Sequence, residues 1–338
     1  MASISDLLAN GEEVIDAEEE AFLLFSQDIP TGNLGFLDSR AASVEVTIRD
    51  DEFAIHQSPT LLSSARAGGT TGAVLWKITP LFADWISSPS NPLWTHALLS
   101  PSSVVAELGC GISALVALAL APSVQHYIAT DQEYVRRLFR TNLDANAGVV
   151  TSAPKQKEKS SKVKARSSKS TSKKTPSKSS DVSPTPNITF TTLDWELDEP
   201  RSLKSCIEAE SSPREGHGRR ERDQTDEDQD HGVDLLLSCD CIYNEALVAP
   251  FVRTSAEICR LRPAYNPSLD GTDGSVSGRP PTICIVAQQQ RAPDVFETWL
   301  RETLREFRVW KLSDEVLGDG LKSGTGYLVH LLMVRERN

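Results

Sequence analysis

The sequence predicts an α/β fold, a parallel sheet with helices on both faces, and three observations predict it. Short apolar runs alternate with helical stretches over the second two thirds of the 338 residues. The run at 233–239 (VDLLLSC) is nearly continuous in apolar residues, as a strand covered on both faces must be. The run at 103–108 ends in Gly109-Cys110-Gly111, a turn tight enough to hand a strand over to a crossover helix.

Each element then follows in order. Residues 103–108 form the first strand, and 113–121 (SALVALALA), apolar all round, a buried helix. Residues 125–130 form the second strand, and 133–146 are helical by pattern. The third strand, 188–193 (ITFTTL), is β-branched and alternating. After the fourth strand at 233–239 a helix runs to about residue 261, with Pro250 tolerated only in its first turn. The fifth strand is 282–287, and a helix follows over 295–307. Residues 308–311 and 327–334 are expected to pair as a final antiparallel hairpin. Apolar runs at 22–25, 44–48 and 53–55 suggest a small β extension. The chain is therefore divided into an N-terminal extension, 1–70, and a main domain, 71–338.

Three segments read as disordered insertions: 149–184, rich in Ser and Lys; 207–232, densely charged; and 264–280, punctuated by Asn-Pro, Asp-Gly and Ser-Gly. Charge is unevenly spread. Residues 152–180 carry ten Lys/Arg and one acid, so the formal net charge of −12 conceals about −21 on the remainder. An acidic body repels nucleic acid and attracts basic partners. The Lys-rich stretch reads as a plain insertion, a tether, an import patch or a pseudo-substrate. No apolar run reaches membrane-spanning length, and the acidic start lacks the layout of a signal peptide, so a cytoplasmic protein, with nuclear access, is expected. Six scattered cysteines without a CxxC pair argue against a disulfide framework or a zinc knuckle.

The strongest local signal is Glu107-Leu108-Gly109-Cys110-Gly111-Ile112-Ser113-Ala114. Glycines let backbone approach a ligand that a Cβ would block. Asp131 stands 20 residues after Gly111, at the end of the second strand, where its carboxylate can accept hydrogen bonds from both ribose hydroxyls of an adenosine. The spacing Gly109-x-Gly111-x-x-Ala114 also satisfies a dinucleotide fingerprint. Two features favour S-adenosylmethionine. Glu107 before the turn would oppose a pyrophosphate but suit a methionyl ammonium, and the terminal hairpin suits a seven-stranded methyltransferase sheet.

The segments Thr71-Gly72-Ala73-Val74-Leu75-Trp76, Glu107-Leu108-Gly109-Cys110-Gly111, Asp131, Leu193-Asp194-Trp195 and Asp240-Cys241-Ile242-Tyr243 occur in this order. In this combination the chain resembles the methyltransferase-like 21 group of protein lysine methyltransferases, and within it the fungal ribosomal lysine N-methyltransferase 5 family. The resemblance runs from about residue 71 to the C-terminus and is broken by the three insertions. It implies a Rossmann-like seven-stranded class I methyltransferase sheet and S-adenosyl-L-methionine as cofactor. It also implies that Trp76 lies against the methionine part and that Gly109, Cys110 and Gly111 wrap the cofactor. Asp131 would hold the ribose, Trp195 would stack near the adenine and Cys239 would contact the cofactor. Asp240 and Tyr243 would stand at the entrance for the target lysine. The implied partner is a basic substrate, ribosomal protein L1 of the large subunit, with the enzyme acting as a monomer.

The chemistry needed is an in-line displacement by a neutral amine. Lysine, with a free pKa of about 10.4, must lose a proton, which burial promotes. Asp240 would orient the ammonium and Tyr243 wall the channel. Structural alternatives remain: core packing for Trp76, Trp195 and Tyr243, and helix capping for Asp240. A small-molecule methyltransferase and a non-catalytic binding module are the rival functions. An adenine or glutamine methyltransferase is disfavoured because such enzymes carry an Asn-Pro-Pro-Tyr type element where this chain has Asp240-Cys241-Ile242-Tyr243.

Overall fold

Residue alternation along the strands decides which side chain faces which layer. The computed structural model describes residues 4–30, 34–64, 70–150, 187–200, 203, 232–266 and 280–337. In chain order its strands are β1 (Gly11–Val14), β2 (Ser43–Ile48), β3 (Asp51–His56), β4 (Val104–Leu108), β5 (His126–Asp131), β6 (Ile188–Thr192), β7 (Leu235–Cys239), β8 (Ile283–Gln289), β9 (Phe307–Leu312) and β10 (Tyr327–Val334). The helices used below are α1 (Ile4–Leu8), α2 (Ala17–Phe25), α3 (Ile78–Ser87), α4 (Leu115–Leu120), α5 (Arg136–Val150), α6 (Val248–Cys259), α7 (Pro293–Glu306) and α8 (Asp314–Leu321).

Eight strands make one sheet in the order β1-β9-β10-β8-β7-β4-β5-β6. β6, β5, β4, β7 and β8 run parallel. β10 inserts between β8 and β9, antiparallel to both, so the expected terminal hairpin forms. On β8, Ile283, Ile285 and Ala287 enter one core, shared with α3, α4 and α5, while Cys284 and Val286 enter the other, shared with α6 and α7. On β10, Val329, Leu331 and Met333 divide from Leu328, Leu332 and Val334 in the same way. This period of two, apolar on both phases, is why these strands read as continuous apolar runs. The α/β class and the seven strands β4 to β10 stand as the sequence led one to expect.

The N-terminal region departs from expectation in two ways. The apolar run at 22–25 is not a strand but the end of helix α2. Asp16 caps that helix by accepting the N–H groups of Glu18 and Glu19, and three glutamates in the first turn suit the positive end of the helix dipole. Ahead of it, Gly11–Val14 adds an eighth strand at the β9 edge. Its glutamates pair across the ladder, Glu13 bidentate with Arg308 at 2.6 and 2.7 Å, and such outward charges blunt a sheet edge.

The expected strands at 44–48 and 53–55 form the hairpin β2–β3. Asn142 and Asn146, one turn apart on α5, hold its open edge. Asn142 Oδ1 accepts the His56 N–H at 2.7 Å and its Nδ2 donates to the His56 carbonyl at 3.0 Å. Asn146 does the same for Ala54, at 2.9 and 3.0 Å. A helix face thus completes a strand's ladder, because a helical step of four residues places two amides against alternate strand residues. The insertions at 149–184, 207–232 and 264–280 lie largely outside the described residues. Of the first, residues 149 and 150 still belong to α5.

Candidate functional site

The parallel order puts β4 between β5 and β7, so the loops leaving β4, β5, β6 and β7 converge at one edge of the sheet. They line a cleft of about 890 Å³ of non-atom space, part of it open solvent. All nine residues singled out in the sequence line it: Trp76, Gly109, Cys110, Gly111, Asp131, Trp195, Cys239, Asp240 and Tyr243.

The glycine turn explains its own sequence. Gly109 and Gly111 have φ of +68° and +59°, a region that excludes most side chains. A Cβ on Gly109 would overlap Cys241 Sγ and press on the Trp195 ring at 3.3 Å. A Cβ on Gly111 would meet the Gly72 carbonyl oxygen at 3.3 Å. The N–H groups of the turn are already engaged by the protein. Cys110 donates to the Thr130 carbonyl at 3.1 Å, Gly111 to Asp131 Oδ2 at 2.8 Å and Ile112 to the Gly72 carbonyl at 3.0 Å. Three consecutive donors are therefore directed into the fold rather than offered to a phosphate. That weighs against the dinucleotide reading of the same glycine spacing.

Asp131 is hydrogen-bonded to the turn. Its two oxygens accept the Gly111 and Gln132 N–H groups at 2.8 and 2.7 Å, and each keeps a further lone pair. Burial raises its pKa to about 6, against the lowering effect of those two bonds. Glu107, expected to face the ligand, instead lies buried on β4 and is not among the residues lining the cleft. Tyr127 donates to it at 2.8 Å, and burial, with the Asp131 charge, lifts its pKa to about 7.

Aromatic rings flank this centre. Trp195 makes an edge contact with Phe251 at 5.2 Å, and its indole N–H is buried without a partner. Trp76 is half-buried, its N–H bound to the Thr71 carbonyl at 3.1 Å and its ring 4.3 Å from Phe36. The thiols of Cys110, Cys239 and Cys241 are all pushed up, first by burial and then by the nearby carboxylates, so they stay protonated.

Asp240 is not a helix cap. The following turn, Glu245–Leu247, is capped by Asn244, which accepts the Ala246 N–H at 3.1 Å. Asp240 has φ of +62°, and its buried carboxylate accepts the Gln289 N–H at 3.1 Å and an Arg291 N–H at 2.5 Å. Burial raises the pKa of Tyr243, against the lowering effect of nearby Thr71. Gln289, the last residue of β8, and Arg291, just past it, escaped the sequence reading. They are polar residues 49 and 51 positions from their partner, and no local pattern marks them.

No family model matches the chain. Over 134 residues it is 35% identical to the diaminohydroxyphosphoribosylamino-pyrimidine deaminase of Schizosaccharomyces pombe, a match covering 39% of this chain and 32% of that protein. It is 30% identical over 229 residues to the ribosomal lysine N-methyltransferase 5 of Candida glabrata, covering 60% of this chain and 59% of that one. The protein of the same name from Zygosaccharomyces rouxii is 27% identical, covering 76% of this chain and 72% of that one. The chain thus spans about a third and about three fifths of the lengths of the first two relatives. Among solved structures, Aeropyrum pernix fibrillarin is 11% identical with a TM-score of 0.35, covering 89% of this chain and 97% of that one, a similarity too low to argue from. The chain is similar in sequence to the fungal ribosomal lysine N-methyltransferase 5 proteins, the resemblance its motifs carry.

Proposed function

We propose that the chain is an S-adenosylmethionine-dependent protein-lysine N-methyltransferase that acts on a basic protein of the large ribosomal subunit, L1 by family resemblance. One observation carries the reading: the glycine turn directs three N–H groups inward and presents the Asp131 carboxylate beside the Asp240–Tyr243 element in one cleft. That cleft suits an adenosine without a phosphate. It offers a backbone cradle where a Cβ would intrude, a carboxylate with lone pairs to spare and an unpartnered indole N–H.

Asp131 would hold the ribose, Gly109, Cys110 and Gly111 would wrap the cofactor, and Cys239 would border it. Trp195 would wall the adenine and Trp76 the methionine end. When bound, the cofactor supplies an electrophilic methyl group on a sulfonium, so the protein's main task is positioning. Asp240 orients the incoming ammonium, and Tyr243 walls its path. Withdrawal from water lowers the amine's pKa from about 10.4, which favours the nucleophilic neutral form. The acidic balance of the chain outside residues 152–180 suits a Lys/Arg-rich target.

The test is incubation of the full chain with methyl-labelled cofactor, large-subunit ribosomal proteins and a small-molecule extract. Label in a protein band supports the proposal. Label confined to small molecules, or absent, refutes it.

A further inference from the structure

Arg291 bridges two residues that line the cleft, Asp240 and Trp76. Its Nη2 lies 2.5 Å from Asp240 Oδ2, in an ion pair whose side chains are 19% and 2% exposed. Its guanidinium carbon lies 4.7 Å from the centre of the Trp76 ring. The contacts continue on both sides. Asp240 Oδ1 accepts the Gln289 N–H, and Gln289 Oε1 accepts the Gly35 N–H at 2.6 Å. The next residue, Phe36, packs on Trp76 at 4.3 Å. Arg291, Asp240, Gln289, Gly35, Phe36 and Trp76 therefore close a ring. It joins four segments far apart in sequence: the stretch before β2, the stretch before α3, the turn after β7 and the end of β8 with the turn that follows it.

We propose that Arg291 is a positioning residue for methyl transfer: it holds Asp240 and Trp76 at a fixed separation and so sets the channel by which the target amine arrives. This rests on the lysine methyltransferase reading above. The physical case is the guanidinium itself. A flat, weakly hydrated cation can stack on an indole and bond a carboxylate at the same time, which a lysine ammonium does less well. Asp240, buried with a left-handed backbone, would otherwise present an uncompensated charge to the cleft. Arg291 acts through these two residues rather than on the reacting atoms.

The test uses the full chain and the variants Arg291→Met, Arg291→Lys, Asp240→Asn and Arg291→Met with Asp240→Asn. Turnover is measured on large-subunit ribosomal proteins, S-adenosylhomocysteine affinity by calorimetry, and amide hydrogen exchange at Gln289 and Gly35. Arg291→Met should lower kcat about ten-fold while affinity changes less than about three-fold. Arg291→Lys should recover part of the loss, and the double variant should be no slower than Asp240→Asn, because Arg291 works through Asp240. Exchange at Gln289 and Gly35 should quicken in Arg291→Met, with the β4 and β5 amides unchanged. Wild-type kcat in Arg291→Met, or losses that multiply in the double variant, would overturn the proposal. An inert wild-type chain would overturn the functional reading and with it any role of Arg291 in turnover. Unchanged exchange in an active Arg291→Met would overturn the ring alone.

Discussion

Cofactor affinity should fall in acid through one carboxyl group. In the proposed reading Asp131 would accept ribose hydroxyls as a carboxylate, and burial raises its pKa to about 6. At pH 8 nearly all of it is ionised, and at pH 5 about one tenth is, so the Kd for S-adenosylhomocysteine should weaken about ten-fold between them. Asp131→Asn keeps the volume but removes the charge, and turns an amide N–H toward the Gly111 or Gln132 N–H. Loss of a hydrogen bond to a charged group costs about 1.5–3 kcal/mol, or about ten- to a hundred-fold in affinity. The variant should bind weakly at every pH. Calorimetric titration across this range is the assay, with Glu107→Gln as a control because Glu107 titrates nearby, at about 7. A wild-type Kd that stays flat, or an equal slope in Asp131→Asn, would refute the reasoning. For folding stability the sign is opposite. A carboxyl raised from 3.8 contributes stability below that value and loses it as pH rises through about 6.

Further outcomes follow from packing. Asn142→Ala removes two bonds to His56 and one to the Ile112 carbonyl at 2.7 Å, and should cost about 2–4 kcal/mol in chemical denaturation. Gly109→Ala must adopt φ near +68° against Cys241 and Trp195, and should abolish measurable cofactor binding while lowering stability by about 1–3 kcal/mol. His330 is buried against Phe296 and Trp299, and burial depresses its pKa to about 3. Its imidazole stays neutral in the fold while the unfolded chain takes up a proton below about 6.5, so stability is lost as pH falls, by about 2 kcal/mol at pH 5. Urea titrations of His330→Leu should show that slope removed.

Much of the fold was legible because burial on both faces leaves a strand no polar phase, as in Val104–Leu108 and Leu235–Cys239. The distance from Gly111 to Asp131 was legible for a related reason. A crossover helix and a second strand of ordinary length bring that carboxylate back to the turn, where it takes the Gly111 N–H. Other features were hidden because their partners are remote. Gly-Glu-Glu-Val has no strand signal of its own, and it becomes β1 only through pairing with Phe307–Leu312. The Asn142 and Asn146 amides look like ordinary polar positions on a helix until β3 is laid against them. In the run at 22–25, apolar character outweighed the Asp16 cap and the acidic first turn, yet the cap was the truer signal. Glu107 was misplaced because its position before the turn says nothing of which face of β4 it takes.

The most direct test of the central claim is tandem mass spectrometry of large-subunit ribosomal proteins after incubation with the full chain and trideuteromethyl-labelled S-adenosylmethionine. The account predicts the heavy methyl group on a lysine ε-nitrogen of a basic protein, L1 foremost, and its absence with Asp131→Ala. Heavy methyl on glutamine or on no protein at all, or equal labelling by Asp131→Ala, would contradict it.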